Sequence, residues 1–184
     1  AGAAPQRSKA SKGAPKFDLR RALIRWCAVD LTRIDGLQVT TVLKVLAEIG
    51  TDMSRFKSVK HFCSWLGICP GTKISGGKRL SGRLKACPNR VKQAFKMAAM
   101  SLAHSHSALG AYYRRMCAKK DKAHANAATA HKLARLFYFM LTRGQDYVDR
   151  GEAEFAKRHR ERALASLKRR AAELGMQLLP QSPA

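Results

Sequence analysis

The sequence predicts an all-α domain, on three observations. Apolar residues recur at helical spacing in one segment after another. No run forms a convincing strand ladder, and no internal repeat is present. An apolar fraction of 46%, with seven Phe and two Trp, is enough for one buried core of several helices. The exception is an irregular, basic, glycine-containing loop in the middle of the chain. At 184 residues the length suits one domain with tails, on a prior of about 150 residues per domain.

Residues 1–16 are rich in Ala, Gly, Pro, Ser and Lys without periodicity and read as a flexible basic arm. A helical domain is expected over 17–150. From Asp18, Leu19, Ala22, Leu23 and Trp26 share one helical face, with Arg20, Arg21 and Arg25 beside it. A second helix runs from Gln38 to Glu48 on Val39, Val42, Leu43 and Leu46, with Gly50 placed to end it. Ser58 is the expected N-cap of a third, Val59 to Leu66, closed by Gly67.

Gly67 to Asn89 breaks the pattern, with five glycines, Pro70 and Pro88, and a concentration of Lys, Arg and Ser between Lys73 and Arg83. Long irregular loops inside compact domains are functional or disordered. Beyond it, Val91, Ala94, Phe95, Ala98, Ala99 and Leu102 form a clean stripe. Ala108 to Lys119 is another helix, and Ala130, Leu133, Ala134, Phe137, Met140 and Leu141 mark a long one ending before Gly144. Residues 151–184 are expected to hold a basic amphipathic helix, Glu152 to Leu174, and a tail.

Charge narrows the function classes. There are 36 Lys and Arg against 12 Asp and Glu, a net charge of +24. From Met53 to Lys120 no Asp or Glu occurs, while fifteen Lys or Arg do. A surface of one sign without acidic relief binds phosphate backbones by counterion release; a merely solubilising basic face is the bland alternative. A two-metal nuclease site needs clustered carboxylates, and this stretch has none to offer. No apolar run reaches the roughly 18 residues of a bilayer span, so no membrane partner is expected. The N-terminus has no apolar signal segment and no initiator Met, which reads as a processed chain or a fragment. Cys27, Cys63, Cys69, Cys87 and Cys117 show no metal-ligand spacing, so no metal site is expected in this chain, and an odd count of thiols suits a reducing, cytoplasmic setting.

Two segments carry candidate chemistry. Ile34-Asp35-Gly36-Leu37 enters a helix and could offer backbone N–H groups around Gly36 to a phosphate; an ordinary helix start explains it equally well. Gly71 to Arg79 superficially resembles a P-loop, but Gly77 follows Gly76 where Lys is needed and no Ser or Thr follows Lys78, which excludes nucleotide binding. What remains is Ser75 beside Gly76 and Gly77, near Lys73, Lys78, Arg79, Arg83 and Lys85. Permissive glycines let a ligand approach the backbone, cations stabilise charge on a phosphate oxygen, and a hydroxyl there can attack a phosphodiester. A basic turn with Ser as a turn residue accounts for the same letters. His104 and His106, flanking Ser105, face different ways on a helix. Tyr112 and Tyr113, at helical spacing with Leu109 and Met116, read as packing residues rather than nucleophiles.

Taken in order, a set of segments carries a resemblance. They are Leu31-Thr32-Arg33-Ile34-Asp35-Gly36; Phe56-Lys57-Ser58-Val59-Lys60-His61-Phe62; Trp65-Leu66-Gly67-Ile68-Cys69-Pro70-Gly71; and Lys73-Ile74-Ser75-Gly76-Gly77-Lys78. Then follow Asn89-Arg90, Leu109-Gly110-Ala111-Tyr112-Tyr113-Arg114-Arg115, Leu136-Phe137-Tyr138 and Tyr147-Val148-Asp149. The chain resembles the C-terminal transposase domain of the bridge-RNA-guided DEDD insertion-sequence transposases, the family numbered one hundred and ten with its eleven-eleven branch, and the related Piv DNA invertases. The resemblance implies a recombinase domain in which a serine becomes joined to DNA: Ser75, with Ser81 as the fallback. DNA contacts are expected, from the charge and glycine placement, at Lys73, Gly76, Gly77, Lys78, Arg79, Arg83, Lys85, Arg90 and Gly36. The resemblance also implies Mg²⁺ held by a separate RuvC-like half with no counterpart here, a bridge RNA, a homo-oligomer in the full-length parent, and a bacterial cytoplasm at the nucleoid. On this reading the chain is a partial transposase, inactive alone. The rival is a non-catalytic helical module that binds DNA or RNA. Either way, affinity for DNA is expected to fall steeply with salt, with a log–log slope of about 0.9 per phosphate contact. A flat response in a binding titration between low and physiological salt would remove both readings.

Overall fold

The computed structural model describes residues 17–82, 84, 86–144 and 147–179. The expected basic arm, 1–16, lies outside the described residues, as does the end of the tail from 180. Helix α1 (Leu19–Cys27) begins where Asp18 accepts a hydrogen bond from the Arg21 N–H. A 3₁₀ turn, Leu31–Arg33, capped by Asp30, leads through Leu37 to α2 (Val39–Ile49), which Gly50 ends. The Ser58 side chain caps α3 (Val59–Trp65). Asn89 caps α4 (Arg90–Ser101), Ser107 caps α5 (Ala108–Lys119) and Asp121 caps α6 (Lys122–Arg143), each by accepting from a backbone N–H of the first turn. The long α7 (Gly151–Glu173) follows. The all-α class holds, and the caps explain the boundaries.

Two expectations need correction. The central loop is not wholly irregular: β1 (Lys73–Ser75) and β2 (Lys78–Ser81) form an antiparallel hairpin there. An isolated bridge between Pro70 and Leu84 clips its base. The second correction concerns Trp26, which is 60% exposed although its spacing places it with Leu19 and Leu23. Helix α1 turns Leu19, Leu23 and Cys27 to the core, while Trp26, at the edge of that stripe in the last turn, stays in water.

The core is built around α6, which packs against α3, α4 and α5; α4 also rests on α2, and α2 on α1. Phe95 of α4 and Phe137 of α6 are both fully buried and meet edge to face with ring centroids 5.6 Å apart. Phe62 of α3 lies against Tyr138 of α6, whose hydroxyl donates to the Phe56 carbonyl at 3.1 Å. At the start of α5 the backbone comes so close that a Cβ on Gly110 would stand 2.1 Å from the Ser105 carbonyl oxygen, so no other residue fits there unchanged. Arg114 locks the same corner, donating to the carbonyls of Ala103 and Ser105 and, at 2.6 Å, to Glu152 of α7. Helix α7 itself has no fully buried residue. Of the apolar stripe that the sequence offers here, Leu164, Leu167 and Leu174 are exposed and Ala163 and Ala171 half-buried, and α7 packs against α5.

Among the described residues no helix is long and apolar enough to cross a membrane. The five cysteines are free, and burial, helped by Cys69, pushes the Cys63 thiol up to about 12, which makes it a packing residue. Truncating the central contact, Phe95→Ala, is expected to lower stability by about 3–5 kcal/mol. Met97→Ala, at an exposed position of the same helix, should stay within about 0.5 kcal/mol. Urea unfolding followed by circular dichroism separates the two.

Candidate nucleic-acid interface

The hairpin results from its sequence. Short runs of residues flank Gly76-Gly77, and both glycines take positive φ, +54° and +73°, as a two-residue turn of the primed type requires. Register places Ser75 opposite Lys78, Ile74 opposite Arg79 and Lys73 opposite Ser81, with a bulge that leaves Leu80 as the extra residue. Paired residues share a face, and alternate residues of a strand do too. Lys73, Ser75, Lys78 and Ser81 therefore occupy one face of the hairpin, and Ile74 the other. Both serine candidates stand on the face that carries two lysines.

This face is open to solvent. Lys73, Ser75 and Lys78 are exposed, and Ser81 is half-buried. Nothing lies within 4 Å of where a Cβ on Gly76 or Gly77 would be, so the turn projects clear of the body. Neither lysine has an acidic partner among the described residues, and the Ser75 hydroxyl has no hydrogen-bond partner among them. Ile74 and Leu80, 66% and 68% exposed, give the hairpin apolar surface as well. The arrangement presents a primary alcohol flanked by exposed cations, without a neighbouring base among the described residues.

The remaining candidates fall elsewhere. Arg83 and Lys85 lie outside the described residues, and Arg79 is placed by its backbone in β2. Arg90 opens α4, where its guanidinium pairs with Glu48 of α2 at 3.2 Å. Gly36 does not stand at an open helix entrance. A Cβ there would be 2.7 Å from the Ala98 carbonyl oxygen and in contact with Leu102, so close packing on α4 accounts for the glycine without a ligand. His106 lies 3.6 Å from Glu152, Tyr113 is buried, and Tyr112 packs against Phe155 of α7. Among the described residues no three His, Cys, Asp or Glu side chains gather as metal ligands would. A second concentration of cations, between α5, α6 and α7, has no counterpart in the sequence reading.

Beside Gly36, Asp35 is half-buried, and its Oδ2 has no hydrogen-bond partner. Burial pushes its carboxyl above the ordinary range, the Asp149 carboxylate adds to this, and a hydrogen bond from Ser107 opposes it. Asp149 in turn accepts from the Ala108 N–H at 3.1 Å and from the Tyr147 hydroxyl. These acids brace the start of α5 behind the basic surface.

Residues 28–114, from the end of α1 to the Arg114 corner, match the Transposase IS116/IS110/IS902 family. The match covers 87 residues, just under half of the chain. The chain is also similar to the mini-circle putative transposase for IS117 of Streptomyces coelicolor, 36% identical over 105 residues, which are 57% of this chain and 25% of that protein. The chain thus matches about a quarter of the length of this curated relative. No solved structure matches it.

The Asp35 geometry gives a pH prediction. A carboxyl whose pKa is raised on folding binds protons more tightly in the native state, so stability falls as pH rises from the ordinary carboxylate value through the folded one. Asp35→Asn, which cannot ionise, is expected to be more stable than the parent at pH 7. The gap should close as pH falls through the Asp35 titration, and urea midpoints measured at intervals between pH 7 and pH 3.5 would show it.

Proposed function

We propose that this is the DNA-handling part of an insertion-sequence transposase and that Ser75 is its nucleophile in strand exchange. The observation that supports it best is the shared hairpin face: a solvent-open serine directly opposite Lys78 and two residues from Lys73, inside the span that matches the transposase family. In the reaction the Ser75 Oγ attacks a scissile phosphorus and gives up its proton. A phosphodiester forms between serine and one DNA end, the bond to the deoxyribose oxygen breaks, and that oxygen leaves as a hydroxyl carrying a proton. Attack by the hydroxyl of a partner strand reverses the sequence and frees the serine, so bond energy is kept without an external nucleotide. Lys73 and Lys78 stabilise negative charge on the phosphate oxygens during both steps.

In this reading the full-length protein is a homo-oligomer that works at the nucleoid with a bridge RNA. Its Mg²⁺ belongs to an acidic half outside these residues. Arg79, Arg83, Lys85 and Arg90 position DNA. One feature favours a second reading, a module that holds nucleic acid without cutting it: no base stands beside the Ser75 hydroxyl among the described residues.

A suicide DNA substrate offered to the full-length protein distinguishes the two. The expected result is a covalent protein–DNA adduct that maps to Ser75 by peptide mass, is lost by at least about a hundredfold in Ser75→Ala, and persists in Ser81→Ala. An adduct undiminished in Ser75→Ala assigns the nucleophile elsewhere. DNA retained with no adduct in any variant supports the binding module.

A further inference from the structure

Helices α5, α6 and α7 enclose a cleft of about 340 Å³ on a part of the fold distinct from the hairpin. Its walls are aromatic: Tyr112 of α5 and Phe155 of α7 meet edge to face, 6.4 Å apart. Its charge is cationic. Lys132 of α6 is half-buried between the two rings, its ammonium 4.3 Å from the centre of Tyr112 and 5.7 Å from that of Phe155. Arg115 of α5 lies over Phe155 at 5.5 Å, and Arg162 of α7 lines the same cleft. The two acids on the wall are already engaged, Glu154 with Arg158 at 2.7 Å and Asp149 with the Ala108 N–H. Arg115, Lys132 and Arg162 have no acidic partner among the described residues.

Three cations from three helices thus converge on a site with apolar walls, none of them in contact with an acid among the described residues, and with Arg150 and Arg158 the cations of the cleft outnumber its two acids. Like charges held this close repel, and walls that exclude water strengthen both that repulsion and the attraction for an anion that relieves it. Lys132 shows the stress: burial lowers its pKa, and Arg115, Arg162 and Arg135 lower it further. Two guanidiniums and an ammonium suit the several oxygens of a phosphate, with the forked donors of arginine fixing its orientation.

We infer that this cleft is a second phosphate seat, in which Arg115, Lys132 and Arg162 hold one backbone phosphate of a nucleic acid away from the serine hairpin. Occupancy ties α7 to α5 and α6 through the bound anion, and a nucleic acid held at both places is fixed in orientation rather than merely retained. The inference rests on the nucleic-acid reading above only for the source of the phosphate.

Ring-proton resonances of Tyr112 and Phe155 report the cleft directly, with a 20-base-pair duplex and inorganic phosphate as separate probes. The duplex is expected to shift both rings, and Arg115→Gln/Arg162→Gln should abolish that shift and reduce the log–log salt slope of duplex binding by about 0.9, the contribution of the one phosphate released. Met97→Ala, at an exposed position of α4 outside both places, should leave both readouts unchanged. Thermal melting of the double variant checks its fold, and Arg162→Gln alone, at an exposed position, keeps the test valid should the pair fail to fold. Rings unmoved by a saturating duplex, or shifts that survive the substitutions, overturn the inference. Rings moved by inorganic phosphate but not by bound duplex make this a free-phosphate site and overturn the backbone assignment. If the chain retains no duplex at all, the nucleic-acid reading fails by itself. Phosphate then decides whether the seat exists: ring shifts lost in the double variant uphold it, and unmoved rings dispose of it.

Discussion

Everything in this structure leans on the burial of one side of α6. Its Phe137 meets Phe95 of α4, its Tyr138 meets Phe62 of α3 and reaches the Phe56 carbonyl, and its small residues Ala125, Ala130 and Ala134 let neighbouring helices approach closely. Apolar packing has to dominate here, because a chain of net charge +24 repels itself and has few acids with which to offset that repulsion. The hairpin is inserted between α3 and α4, both of which rest on α6. Its base is therefore held by the best-packed part of the molecule while its tip meets none of it.

The scarce acids are placed as braces. Asp30 caps a 3₁₀ turn and binds Arg20 of α1. Burial raises its pKa, but the hydrogen bonds from Arg20 and Thr32 outweigh this and leave the carboxyl below its ordinary value. Glu48 ties α2 to α4 through Arg90. Glu152 ties α7 to the Arg114 corner, and the hydrogen bond from Arg114 holds its carboxyl low. The Asp30 brace joins consecutive elements, while the other two join elements about forty residues apart and reach from outside the acid-free stretch to a cation within it. That division leaves the cations of the hairpin unneutralised.

Much of the fold was legible in the sequence because its signals are local. Asp18, Ser58 and Gly144 act through bonds within one helical turn, so the letters alone locate the ends of α1, α3 and α6. The hairpin was hidden by its own composition. Lys73 to Ser81 offers only two apolar residues, both exposed, so it shows no buried alternation, and the one local sign was the Gly-Gly pair between two short runs. Trp26 misled because hydrophobicity indicates a preference for burial and not which neighbour is there to provide it. Gly36 misled for a related reason, since the Ala98 carbonyl it touches lies sixty residues away. The cleft could not be read as a whole. Its one-helix traces are Tyr112 with Arg115, and Phe155 with Arg158 and Arg162, aromatic and basic residues at helical spacing, but their meeting with Lys132 is a property of three helices packed together.

The separation between the hairpin tip and the core has an evolutionary consequence. Residues 73–78 are all exposed, and among the described residues the buried core contains none of the serine-bearing face. Selection for what the tip recognises and selection for a chain that folds therefore act on different letters. A lineage carrying this domain can retune one without renegotiating the other.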